Sequence, residues 1–182
     1  MVASSTTTSR DPRGAGYVPL WVKSHYSFLE GASSPEELVE QAHALGLGAL
    51  AMTDRDGVYG LVKAHFAARE RGLRLIAGAE LTLTGVGSPD ASRATSAGAL
   101  ASMNHPTRVV ALAHDREGYA QLCRLISVGQ GRAPKGQSQL AAHELAALTH
   151  CELLCADPAL LAALRLLPVR VSAYCVWHLL AE

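Results

Sequence analysis

Gly48–Leu81 reads GALAMTDRDGVYGLVKAHFAARERGLRLIAGAEL, and its runs and breaks decide the fold. Ala49–Thr53 is a short unbroken apolar run, the pattern of a strand buried on both faces of a parallel sheet. It delivers Asp54, Arg55 and Asp56 to its C-terminal end. A helix is predicted from about Val58 to Arg71, closed by Gly72 where a left-handed cap belongs. Leu73–Ala77 repeats the buried-strand pattern, and Glu80 emerges just after it. Strand, helix and strand at this spacing make a βα unit, which places the chain in the α/β class with largely parallel strands. Folds of this class build their sites at strand C-terminal ends, where the charged residues of this stretch collect.

Upstream, Leu20–Ser34 (LWVKSHYSFLEGASS) passes from an apolar strand, Tyr17–Val22, through a polar loop into a helix. Alternation along a strand puts Trp21 and Lys23 on one face; His25 follows, and the loop ends at Glu30 and Gly31. Ser34, Pro35 and Glu37 supply an N-cap, a proline at the first helical position and a capping-box glutamate. The helix is expected over Pro35–Leu45, with Leu38, Ala42 and Leu45 on one stripe and Gly46 as its cap. Downstream, Leu81–Thr84 reads as a further short strand. Gly85–Asn104 is small, polar and aperiodic, the composition of a flexible surface insertion. Then come a strand Val109–Ala113, a helix capped by Asp115 with Tyr119, Leu122, Cys123 and Ile126 on one face, and a basic loop, Gly129–Gln137, containing Arg132 and Lys135. A short helix His143–Thr149, a strand Glu152–Cys155, a helix Pro158–Leu166 and a strand Val169–Val176 complete the pattern.

Residues 1–16 read as a disordered tail and 17–182 as one domain, since 182 residues with 49% hydrophobic content suffice for a single sizeable core. Lys+Arg and Asp+Glu are both 16, without the basic excess of a typical nucleic-acid binder, so Arg69, Arg71, Arg74, Arg132 and Lys135 read as a solvated face. Cys123, Cys151, Cys155 and Cys175 form no CxxC pair and read as reduced thiols of a cytoplasmic protein. No apolar run reaches the ~20 residues of a membrane helix.

Four stretches together carry a resemblance: WVKSHYSFLEGASSPEELVEQA, the Gly48–Leu81 segment, VVALAHDREGYAQLCRLIS and, more faintly, GRAPKGQSQLAAHELAAL. The sequence resembles the PHP (polymerase and histidinol phosphatase) domain at the N-terminus of bacterial DNA polymerase III alpha subunits, in their error-prone branch. The resemblance implies a distorted βα barrel whose active members hold a zinc or manganese cluster on histidines and carboxylates. It also implies a role beside the polymerase catalytic module in DNA replication and damage-tolerant repair synthesis. The family's first two histidine ligands fall on Trp21 and Lys23, its loop acid on Glu30, the histidine after the TD pair on Arg55, and its GAE glutamate on Glu80. A further histidine position falls near Arg108, with His105 three residues away, and Cys155 lies near the family's cysteine ligand. The remaining ligands would come from beyond Glu182, so the chain is expected to end before the family domain closes.

Tryptophan offers a metal no lone pair, and lysine and arginine carry the charge that the metal would repel. The expectation is therefore a degenerate PHP-type domain without resident metal or catalytic residues: a non-catalytic scaffold or remnant, without direct nucleic-acid contact of its own. The alternatives are a metal-dependent phosphoesterase or 3′ to 5′ nuclease, which needs a filled ligand cluster, and a nucleic-acid-binding module, which needs a contiguous basic face. The isolated His25, His43, His65 and His105 read as surface or hydrogen-bonded residues. If the fold is kept, Lys23 and Arg55 should replace the metal's charge in an ion-pair cluster with Glu30, Glu80 and Asp54 or Asp56, because crowded carboxylates need a counter-charge.

Overall fold

The computed structural model describes residues 17–84 and 107–174. The tail at 1–16, the insertion at 85–104, His105 and the segment from Cys175 to Glu182 lie outside the described residues.

The chain enters along an extended segment in which Pro19 and Val22 accept hydrogen bonds from the Ala51 and Thr53 amides at 2.9 and 2.8 Å. The strand expected over Tyr17–Val22 is thus reduced to a single parallel bridge, Val22 to Met52; Pro19 has no N–H to extend the ladder. Helix α1 (Pro35–Ala44) starts with the expected capping box at Ser34 and Glu37. Its buried stripe is Pro35, Val39 and Ala42, not Leu38, Ala42 and Leu45; Leu45 is the C-cap and stands 62% exposed. Strand β1 (Ala49–Met52) is buried at all four positions. Helix α2 (Leu61–Arg71) begins three residues later than expected and ends at Gly72, whose φ of 66° is left-handed.

Strand β2 (Arg74–Leu83) is one ten-residue strand, where two short strands were expected. Its first four residues pair with β1 in parallel, and Gly78–Leu83 pair antiparallel with strand β3 (Thr107–Ala113). Glu80 therefore sits inside a strand and is held from both sides. At the changeover a side chain on Gly78 would meet the Ala111 carbonyl at 2.6 Å, so the two strands touch through bare backbone there. Helix α3 (Arg116–Arg132), capped by Asp115, continues through the first part of the expected basic loop. A 3₁₀ segment (Ala142–Ala147), strand β4 (Cys151–Cys155), helix α4 (Pro158–Leu164) and strand β5 (Arg170–Ala173) follow.

The sheet order is β1-β2-β3-β4-β5, with parallel pairs at both ends and β3 antiparallel to its two neighbours. Four of the five strands share one direction, so the sheet is largely parallel in a partial βα barrel. Odd-numbered β2 and β3 side chains, such as Leu81, Leu83, Val109 and Ala111, pack with Leu122, Ile126, Leu145 and Leu160 into the larger core. Val39, Leu50, Met52, Ala64 and Ala68 form a second core with α1 and α2. The alternate residues Ala51, Val110, Leu112 and Leu154 form a separate small cluster, on the helix-free face by the two-residue period of strands.

Candidate functional site: a charge cluster at the strand ends

The same alternation sets Trp21 and Lys23 apart from Val22, Glu80 apart from Ala79 and Leu81, and Arg108 apart from Val109. All four side chains thus stand on the helix-free face. Arg55 lies opposite Glu80: the Asp56 amide donates to the Glu80 carbonyl at 2.8 Å, and the Glu80 amide donates to the Asp54 carbonyl at 3.0 Å.

Glu80 is the buried anchor, with its side chain 1% exposed. Its Oε1 accepts from Trp21 Nε1 at 3.0 Å, and its Oε2 accepts from Lys23 Nζ at 2.7 Å and from Arg108 Nη1 at 3.2 Å. Glu30 closes the arrangement from the loop. One of its oxygens accepts from Arg55 Nη1 and from Arg108 Nη2, the latter at 3.0 Å; the other accepts from Lys23 Nζ and from Arg108 Nη1, the latter at 3.3 Å. Lys23 Nζ also stands 5.0 Å from the Trp21 ring centroid, within cation–π range. Burial works to raise the Glu30 carboxyl pKa, but the Lys23 hydrogen bond and the charges of Lys23, Arg108 and Arg55 outweigh it and hold it below the ordinary 4.5.

The six residues marked by the resemblance therefore meet in one connected cluster. Arg108, absent from the expected ion-pair set, bridges both glutamates, and Trp21, read only as a lost ligand, is a hydrogen-bond donor. Alternation along β3 was the available signal for Arg108. Asp54 and Asp56 stand outside the cluster, contrary to the ion-pair expectation. Asp54, 2% exposed, accepts from the Ser24 amide and hydroxyl at 2.7 and 2.8 Å and from the Ser27 hydroxyl at 2.7 Å. Asp56 accepts from the Thr82 amide and hydroxyl at 2.8 and 2.7 Å. Neutral donors at these distances satisfy both carboxylates and hold them away from the cations. Cys155 also lies outside the cluster: it packs in the larger core, its thiol bonds the Asp157 carbonyl at 3.4 Å, and burial raises its pKa. The His25, His43 and His65 residues are exposed.

The donor set does not fit a metal cluster. A divalent ion needs several unprotonated nitrogen, sulfur or carboxylate ligands converging at ~2 Å, and here three cations take the lone pairs of both glutamates. Among the described residues, no group of three His, Cys, Asp or Glu side chains is placed to hold an ion.

A largely parallel sheet of βα units with an ion-paired cluster at its strand ends defines a partial-barrel α/β protein. The chain belongs to the PHP domain family, whose model matches residues 20–174. It is 50% identical over 111 residues to an error-prone DNA polymerase of Anaeromyxobacter sp. (strain K), a match covering 61% of this chain and 8% of that protein. With the error-prone DNA polymerase of Bordetella parapertussis the identity is 45% over 132 residues, 72% of this chain and 11% of the relative. The matched region is thus about a tenth of the length of these relatives. Among solved structures, a candidate metal-dependent phosphoesterase from Bifidobacterium adolescentis superposes with a TM-score of 0.56 at 15% identity, covering 85% of this chain and 75% of that one. That likeness supports the fold.

Proposed function

We propose that this PHP domain serves as a non-catalytic structural module of an error-prone polymerase system, in contact with a polymerase catalytic module in the cytoplasm and without a resident metal. The observation that carries the reading is the buried Glu80 carboxylate, the residue best placed to ligate an ion, whose oxygens are taken by Trp21, Lys23 and Arg108. A metal entering here would have to displace two cations and find replacement ligands, and Trp21, Lys23, Arg55 and Arg108 provide none. The cluster instead joins the entry segment, the Glu30 loop, β2 and β3, which is a mechanical role. Among the described residues no helix is long and apolar enough to cross a membrane.

The test is to assay the purified chain for phosphatase and 3′ to 5′ nuclease activity with added manganese or zinc, beside a metal-uptake measurement. The expected result is no activity above background and no tightly retained metal. Activity abolished both by chelator and by Glu80→Ala would replace this reading with that of a metal-dependent phosphoesterase.

A further inference from the structure

We propose that the loop carrying Tyr26, Phe28 and Leu29 and the outer face of α2 form a self-association surface, through which two copies of this chain pair about a twofold axis. The inference is independent of the metal-free reading of the charge cluster. Helix α2 buries Leu61, Ala64 and Ala68, while Tyr59, Val62 and Phe66, spaced by three and four residues, share another face. There they stand 60%, 61% and 59% exposed. The loop adds Phe28 at 73% and Leu29 at 89%. Tyr26 joins the two groups, its ring centroid 6.4 Å from that of Tyr59. Single exposed apolar residues need no explanation, but a contiguous row of them marks an interaction surface.

Size decides what the row can do. At ~200 Å² for a whole aromatic side chain, the exposed parts of Tyr26, Phe28, Tyr59 and Phe66 amount to roughly 450 Å². Val62 and Leu29 carry the patch to about 600 Å², the upper end for the largest apolar patch of a monomer. Matched by an equal area on a second copy, it gives ~1,200 Å², where specific and stable interfaces begin. Both halves of the surface are also fixed before contact. The Glu30 and Gly31 amides donate to the Ser27 carbonyl at 2.9 Å, and the Ser27 hydroxyl donates to the buried Asp54 at 2.7 Å. The Tyr59 hydroxyl bonds the Gln130 side chain, whose Nε2 also donates to the Asp56 carbonyl at 2.6 Å. A surface ordered in advance loses little entropy on binding.

Charge favours a copy over a strongly acidic or basic partner. The ion pairs flanking the patch are neutral in sum: Lys63 with Glu36 at 3.8 Å beside Val62, and Arg55 with Glu30 beside the loop. Lys63 and Glu36 are both about half exposed, so they can exchange partners across a twofold axis and leave no charge alone, as an isologous interface requires. Lys+Arg and Asp+Glu are equal at 16 each, so no net repulsion separates two copies.

The test is sedimentation velocity on the full chain across the micromolar range, where an interface of this size should be populated. The wild type should form a dimer and nothing larger. Phe66→Glu should raise the dimer dissociation constant about tenfold or more, as expected for a central aromatic anchor. Leu166→Ser, at an exposed leucine between α4 and β5 and so at the other end of the sheet from α2, should leave that constant unchanged. Should circular dichroism show Phe66→Glu to be unfolded, Val62→Gln takes its place with the same expected direction. A wild type that stays monomeric throughout the range overturns the proposal and leaves the patch to a different protein, such as a polymerase module. A dimer equally tight in a folded patch variant overturns it as well. So does weakening by Leu166→Ser, which would mark unspecific clustering.

Discussion

Replacing Glu80 with alanine removes the acceptor for three hydrogen bonds at 3.0, 2.7 and 3.2 Å, two of them from cations. Lys23 Nζ is also close to fixed, its side chain only 12% exposed. Breaking a buried ion pair from one side costs ~3–5 kcal/mol, because the remaining charge keeps its desolvation penalty without its partner. Glu30 still offers Lys23 and Arg108 a second carboxylate, so the lower half of that range is expected. For a domain of this size each kcal/mol moves the melting midpoint by ~2–4 °C, which places the loss at about 6–16 °C. The matched control is Glu30→Ala, whose side chain is 22% exposed and whose cations can turn to water. It should cost ~1 kcal/mol, near the top of the range for solvent-exposed pairs. Urea unfolding of both variants, followed by circular dichroism, measures the difference. If Glu80→Ala loses no more stability than Glu30→Ala, the cluster does not hold the fold and the mechanical reasoning fails.

Gly31→Ala should cost more than ~2 kcal/mol or prevent folding, since its methyl group would overlap the Ser24 carbonyl backbone; an unchanged melting midpoint would refute the loop geometry. Leu29 adopts a left-handed φ of 63°, so Leu29→Gly should relieve that strain and leave stability within ~1 kcal/mol of wild type, the flexibility of glycine in the unfolded chain offsetting the gain, a balance that the same denaturant titration measures. For pH, the Glu30 carboxyl is held below 4.5 in the fold, so its contribution is present above pH 4.5 and is lost as pH falls through the lower folded value. Glu30→Gln should flatten the acid limb of the stability profile, and an unaltered acid limb would contradict the ion pairing. Installing Lys23→His with Arg55→His should give measurable zinc affinity by calorimetry if the strand ends keep their geometry, since imidazoles would then stand beside Glu30 and Glu80.

Much of the architecture was legible because it rests on local signals. The capping box at Ser34, the left-handed glycines at 46 and 72 and the buried run at β1 appear where the sequence placed them. What local signals could not show was the continuity of β2. Gly78 breaks the apolar pattern, and only the partner strand reveals that the glycine is there to admit a neighbouring backbone. The site followed the same division. That Lys23 and Arg55 would meet Glu30 was readable from strand-end placement. That Asp54 and Asp56 would be captured by Ser24, Ser27 and Thr82 was not, because hydroxyl donors 26 to 30 residues away leave no spacing signal. Arg108 escaped the ion-pair set because its partners lie 28 and 78 residues away.

The divided pairing of β2 has a kinetic consequence. Its first half belongs to a βα unit closed over short sequence separations, and its second half belongs to a hairpin with β3 whose connection is long. Loop-closure entropy makes the local unit the cheaper one to form, so α1, β1, α2 and the start of β2 should already be structured in the folding transition state. The contacts from Lys23 to Glu80 and from Arg108 to Glu30, 57 and 78 residues apart, would form after it, when the two halves of the sheet meet at Gly78. Mutations in the cluster should then accelerate unfolding and leave the refolding rate nearly unchanged, making the charged centre a brake on opening.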